Sequence, residues 1–245
     1  MKPRNPPGQR RVRLLARLMA GPGDLDTKRL CDRCAEVTEM SGAGIMLMSG
    51  DVARGSLCST DKVSALIEEL QFSLGEGPCV DAYHGDRPVL EGDLATAGAS
   101  RWPAFAGPVL AAGARAVFGF PLRQGQVRLG ALNLYRDSPG PLSDEQHADA
   151  LVLAEIVTHA VLLLQADAPP GQLAVELEKG ADLQYVVHQA SGMVAAQLGI
   201  SVAQALIRLR AYAFGNDRLL HDVVQDVVAR TLIFDEAHGE VDPVP

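Results

Sequence analysis

Cys31 and Cys34 form a Cys-x-x-Cys pair, the spacing used by zinc sites and thiol redox centres. Zinc needs four ligands, and no second Cys-x-x-Cys or His-x-His follows. The same spacing puts both side chains on one helix face, so packing is the simpler use, with redox or metal roles as alternatives. Gly75-Glu76-Gly77-Pro78-Cys79 is glycine-rich but lacks the Lys-Ser/Thr of a phosphate loop. Such a run either turns the chain or folds a lid over a pocket. On the lid reading, Glu76, Gly77, Cys79 and Tyr83 are the candidate contacts of a sensed ligand. Cys79 is a candidate redox handle, although carboxylates at Glu76 and Asp81 would raise its pKa. Neither Gly-x-Ser-x-Gly nor His-Glu-x-x-His occurs, and His84, His147, His159, His188, His221 and His238 are scattered. No acid–base or nucleophile constellation stands out, so an enzyme is not expected, and no catalytic residue or metal ligand is assigned.

A second set of residues lies near the C-terminus. With Leu209 and Ala213 facing inward on a helical wheel, Gln204, Arg208 and Ala211 face outward, and Arg210 and Tyr212 flank them. Asn216 and Arg218 follow at the mouth of the next helix. A guanidinium can grip phosphate bidentately or stack on a base. A flanking tyrosine can stack on an unpaired base, and a small alanine lets a backbone approach. The plain alternative is a solvated helix face with ordinary arginines.

Periodicity indicates the elements that must hold these residues. Leu30, Cys34 and Val37 keep helical spacing. Gly44–Met48, Val52–Ser59, Pro88–Glu91, Ala116–Leu122 and Val127–Tyr135 read as strands, the last two flanking a hairpin turn. Val63, Leu66, Ile67 and Leu70 mark a helix, as do Trp102, Phe105, Val109 and Leu110. Ser143 with Gln146 is a capping box opening a long helix to about Gln165. This predicts an α+β domain, residues 24–167, with an antiparallel sheet of about five to six strands and flanking helices. Beyond Ala168-Pro169-Pro170-Gly171 only the helical period remains. The stripes Leu183 to Leu198, Val202 to Ala213 and Leu220 to Val228 predict a three-helix bundle over 183–235. Gly199 acts as a left-handed stop, Ser201 with Gln204 as a second capping box, and Asn216 or Asp217 as the next cap. Residues 1–23 read as a basic mobile tail, 168–182 as a linker running into the first helix, and 236–245 as a frayed end.

Composition narrows the function. At 47% hydrophobic and 21% charged, the chain is neither disordered nor a coiled-coil rod. Ala148–Gln165 is apolar, but Asp149, Glu155, Thr158 and His159 argue against a membrane span. No export signal is apparent, so a cytoplasmic protein is expected, and four cysteines in 245 residues suit free thiols better than a disulfide framework. The net charge of −8 gives no broad electrostatic surface for nucleic acid. Six Lys or Arg and no acid fall in residues 1–17, whereas residues 173–245 hold five basic and ten acidic residues.

Residues 25–165 resemble a GAF domain, carried by Leu74-Gly75-Glu76-Gly77-Pro78-Cys79-Val80-Asp81-Ala82-Tyr83, Arg87-Pro88-Val89 and Asp93-Leu94. This half is similar to that of actinobacterial-type GAF–ANTAR proteins. Val187-His188-Gln189-Ala190-Ser191-Gly192-Met193-Val194, Leu198-Gly199-Ile200-Ser201, Ala205 to Ala213 and Asp226 to Val228 resemble the ANTAR domain, the RNA-binding module of transcription antitermination regulators. The resemblance implies a GAF sensor fold followed by an all-α three-helix ANTAR bundle. It implies a homodimer that binds paired hairpin loops of nascent leader transcripts and so prevents a terminator stem from forming. Position by position, Gln189, Ala190 and Gly192 match the first helix motif, Arg208, Arg210, Ala211 and Ala213 the second, and Val227 with Val228 the third; the expected RNA contacts are Gln189, Ser191, Arg208, Arg210, Ala211, Tyr212, Asn216 and Arg218. Ala190, Met193, Leu206, Leu209 and Ala213 are expected to pack. Ser191 stands where many members carry Lys, and Val224 where many carry Ala. GAF domains can hold a small molecule, but the resemblance names none, so the cofactor is unknown. The alternative is a small-molecule or redox sensor whose C-terminal helices serve only protein–protein contact or dimerisation.

Overall fold

The computed structural model describes residues 7–20, 26–49, 52–166, 182–216 and 218–235. The expectations for residues 1–6, the linker over 168–181, Asp217 as a cap and the end 236–245 lie outside the described residues. The chain forms two units, divided after Gly180.

Strands β1 (Gly42–Ser49), β2 (Val52–Ser59), β3 (Val89–Glu91), β4 (Ala116–Gln124) and β5 (Val127–Arg136) build one antiparallel sheet in the order β2-β1-β5-β4-β3. The central strands carry apolar residues on both faces because helices cover both sides. One face brings Ile45, Phe118, Phe120 and Leu132 against α1 (Pro7–Leu18), α2 (Thr27–Thr38) and α7 (Asp144–Ala166). The other brings Val117 and Tyr135 against α3 (Lys62–Leu74) and α6 (Pro103–Ala111). Two further helices, α4 (Pro78–Gly85) and the short α5 (Ala99–Arg101), complete this layer. The capping box at α7 forms as expected: Ser143 Oγ accepts from the Gln146 N–H at 3.2 Å, and Gln146 Oε1 accepts from the Ser143 N–H at 3.1 Å. Gln146 Nε2 also donates to Thr38 O, joining α7 to the end of α2. By length and composition α7 could cross a membrane, but Leu153, Val157 and Val161 are buried in the sheet-facing core.

Two expectations need correction. The first is the basic tail: residues 7–18 are helical, not a mobile leader. Leu14 and Leu18 lie one turn apart and are fully buried in the α2–α7 core. Arg10 and Arg13 both bond Asp149, itself buried on α7, and Arg13 reaches its two oxygens at 2.7 and 2.8 Å. Much of the charge assigned to a free tail is therefore neutralised within the fold. The second concerns the thiols. Cys31 does not pair with Cys34 but bridges to Cys58 at the end of β2, with Cα atoms 6.2 Å apart. One helical turn separates Cys31 from Cys34, and the inward face of α2 points Cys31 at the sheet edge. Cys34 and Cys79 remain free and buried.

The C-terminal unit is three helices, α8 (Asp182–Leu198), α9 (Val202–Gly215) and α10 (Leu220–Val228). Val187, Ala190 and Val194 pack with Ala205, Leu209 and Ala213, and with Leu220, Val223, Val224 and Val227, along the predicted stripes. Gly199 takes the left-handed φ of 63° that ends α8. Ser201 and Gln204 form the second capping box. Leu219, not Asn216, precedes α10, and its side chain makes no cap.

Candidate functional site

The N-terminal unit buries a group of polar side chains between its sheet and α3–α4. Gly44, Asn133 and Gly119 are register partners across β1, β5 and β4, so an asparagine sits between two positions with no side chain. The space is used from above. A Cβ at Gly44 would strike the Glu68 side chain, and one at Gly119 would lie 2.5 Å from Pro78 O. Glu68 therefore descends from α3 onto the sheet, where Asn133 Nδ2 donates to its Oε1. One turn on, Gln71 Oε1 accepts the Cys79 N–H at 2.6 Å, tying α3 to the first turn of α4.

Glu68, Gln71, Cys79 and Asn133 are all at most 3% exposed. Glu68 Oε2, Gln71 Nε2 and Asn133 Oδ1 have no hydrogen-bond partner among the described residues. Burial raises the Glu68 pKa to about 8, against the opposing hydrogen bond from Asn133. Burial, then the nearby Glu68 carboxylate, pushes the Cys79 thiol well above its usual range. The carboxylates expected to do this, Glu76 and Asp81, are not the cause, because each is engaged elsewhere. Glu76 Oε1 accepts the Ala104 and Phe105 N–H groups at 2.8 and 3.0 Å, capping α6. Asp81 Oδ2 accepts from Trp102 Nε1 and from the Arg101 guanidinium.

Of the four sensor residues read from sequence, the structure brings two to this cluster. Cys79 lies in it, and Gly77, at φ 131°, leaves room for the Gln71 side chain. Glu76 is a helix cap. Tyr83 is packed edge-on to His84. The glycine-rich run turns the chain from α3 into α4. Sequence reading missed Glu68, Gln71 and Asn133. The available signals were two polar residues on the apolar face of the α3 pattern and a lone asparagine within an apolar strand.

On the C-terminal unit, Arg208 and Ala211 lie exposed on the outward face of α9, as does Gln204. Gln189 is exposed on α8. Arg210 is half-buried, and burial lowers its pKa. Tyr212 is half-buried with its ring 5.5 Å from Phe234, edge-on. Asn216 is exposed but turned back, its Nδ2 donating to Tyr212 O at 2.9 Å. Two expected contacts are displaced. Ser191 is 1% exposed and faces the interior of the bundle. The Arg218 guanidinium bonds Asp226 at 2.6 Å, which raises its pKa and occupies its charge. Two exposed apolar residues on the same face of α9, Ile207 and Phe214, were not anticipated.

Residues 27–165 match the GAF domain family profile. The chain belongs to the GAF domain family. The chain is also similar to solved structures at low identity. The GAF domain of a phosphoenolpyruvate-protein phosphotransferase from Acinetobacter is 14% identical with a TM-score of 0.49, over 66% of this chain and 96% of that one. The GAF domain of a phosphoenolpyruvate-protein phosphotransferase from Coxiella burnetii is 14% identical with a TM-score of 0.48, over 65% and 95%. A domain of a putative two-component sensor histidine kinase from Sinorhizobium meliloti 1021 is 17% identical with a TM-score of 0.45, over 56% and 89%. No curated protein sequence matches this chain.

The GAF domain is a sensor fold, and its five-stranded antiparallel sheet with flanking helices is the one described above. Chemically, its polar cluster offers an acceptor at Asn133 and donors at Gln71 and at the protonated Glu68 carboxyl. The Cys79 thiol, protonated, is a poor nucleophile.

Proposed function

We propose that this protein is a regulator in which the GAF domain governs a C-terminal ANTAR-type module that binds stem-loop RNA in nascent leader transcripts and acts by antitermination. It works in the cytoplasm as a homodimer, carries out no catalysis, and responds to a signal by shifting the population of binding-competent states. The observation that carries the reading is the outward face of α9, where Arg208 stands exposed beside the small Ala211. A guanidinium so placed can stack on a base or clamp phosphate, and the alanine leaves room for the nucleic acid backbone. Gln189 and Gln204 extend the polar surface, with Tyr212 at its flank. Ser191 and Arg218 drop out of the contact set, one buried and the other held by Asp226.

Filter binding of the full chain to RNA with two tandem hairpins, against scrambled RNA of equal length, tests this. The hairpin RNA is expected to bind more tightly at physiological salt, and Arg208→Ala to cost roughly 1–3 kcal/mol if the residue reads a base. Equal affinity for both RNAs would sink the proposal.

A second reading rests on Ile207 and Phe214, each at least 60% exposed on the same helix. Apolar residues so placed suit a protein partner or a second copy. A partner complex that survives ribonuclease and high salt, and is lost in Ile207→Glu, would favour it.

A further inference from the structure

We infer that Cys31 and Cys58 are a reversible thiol–disulfide couple through which the GAF domain reads redox state, with a dithiol as reductant. This deepens the function proposed above by naming its signal, and rests on that reading only for what the signal controls.

The bond joins α2 to β2 across 27 residues of sequence. Its position favours local opening. β2 is an edge strand, bonded on one side only to β1. Its pairing is irregular beside the cysteine: Ile45 pairs with Cys58 but Met46 with Ser56, and a second shift follows between Leu47 and Met48. A bulged edge strand can fray without opening the central sheet. Cys58 is 9% exposed and Cys31 is not exposed at all, so attack comes at Cys58.

The chemistry balances with two electrons and two protons. A reductant thiolate bonds to Cys58 Sγ, the Cys31–Cys58 bond breaks, and the electron pair leaves on Cys31 Sγ, which takes up a proton. The second thiol of the reductant then attacks the mixed disulfide. Cys58 is released and protonated, and the reductant departs as its own disulfide. A disulfide oxidant reverses the sequence. Cys34 stays outside the couple. On intact α2, side chains three residues apart lie too far apart for a disulfide, and burial pushes the Cys34 thiol up to about 12.

Opening the bond has somewhere to act. α2 carries Cys31 and is held to both neighbouring helices of its layer. Arg33 donates to Ala20 O just past α1 at 2.8 Å, and Thr38 O accepts from Gln146 on α7 at 3.1 Å. α7 is also the last element of the N-terminal unit among the described residues. In a reducing compartment a lone disulfide among four cysteines is more often transient and sensing than structural.

The test equilibrates the full chain in graded mixtures of reduced and oxidised dithiothreitol, alkylates the native protein, and counts labels by mass spectrometry. Cys31 and Cys58 are expected to become labelled together, with Cys34 and Cys79 labelled only after denaturation. Cys34→Ser should leave the midpoint unchanged. On reduction, hydrogen exchange in α2 and β2 should rise at least ~10-fold while α3 stays protected, and Tm should fall by about 10 °C. Cys58→Ser should reproduce the reduced state; should it fail to fold, reduced wild type supplies the same comparison. The inference is overturned if a disulfide oxidant never joins the two thiols. It also fails if the bond yields only on global unfolding, or if exchange in α2 and β2 does not change on reduction. RNA affinity measured on both redox forms separates the two proposals: a working couple without hairpin preference condemns the antitermination reading alone.

Discussion

In the N-terminal unit Glu68, Gln71 and Asn133 are sealed inside, whereas the interior of the C-terminal helices is valine, alanine and leucine, with Ser191 the one buried polar side chain among the described residues. Both surfaces expose apolar side chains, Val12, Met19 and Leu163 on the N-terminal unit and Ile207 and Phe214 on α9, where Arg208 stands beside them. Burying polar groups without full pairing costs stability, so a fold retains them where sensitivity is useful. A bundle of about fifty residues whose interior is apolar but for Ser191 has little stability to spare. Under the proposed function, sensing falls to an interior and recognition to an exterior.

The largest effect should come from Glu68. Its pKa is near 4.5 when unfolded and about 8 when folded. Between these values the native state holds a proton that the unfolded state has released. Stability from this group is therefore complete below the lower value and is lost as pH rises to the upper one, by roughly several kcal/mol. Urea titrations of the full chain at intervals from pH 5 to 8.5 should show this slope in the GAF transition, and Glu68→Gln should flatten it. Asp61 works the other way. Burial tends to raise its pKa, but hydrogen bonds from Ser64, Tyr135 and Thr60 prevail and hold it low, so its contribution disappears only on acidification.

Next in size is Leu209→Ala in the bundle. Leu209 is fully buried, and its truncation should cost about 3 kcal/mol. Calorimetry should show the C-terminal transition lowered or absent and the GAF transition in place. If both move together, the units are not separate in stability. Glu76→Ala removes the cap of α6 and should cost about 1 kcal/mol by chemical denaturation, with ligand-independent character. Smallest is Arg218→Ala. Both partners are only half-buried, so less than about 1 kcal/mol is expected in thermal melts, with hairpin affinity nearly unchanged.

What the sequence revealed follows the reach of the interactions. The boxes Ser143–Gln146 and Ser201–Gln204, and the stop at Gly199, act within a few residues and were legible. The strands were legible too, because each repeats its pattern along itself. The Glu68–Asn133 contact spans 65 residues and the Cys31–Cys58 bond 27, and nothing local announces either. The Arg218–Asp226 pair needed the turn into α10 before the two could meet. The misreading of α1 had a different cause. Leu14 and Leu18 carried a helical signal, but the prolines, glycines and arginines around them suggested solvent, and the countercharge Asp149 lies far along the chain.

That first helix has a practical consequence. The family match begins at residue 27, beyond α1. Trimming the protein to that boundary would strip Leu14 and Leu18 from the core and abandon Asp149 without its two guanidinium neighbours. A shortened version started at Asp26 should express as a sticky, weakened domain, and any loss of sensing measured on it would report the missing helix rather than the sensor.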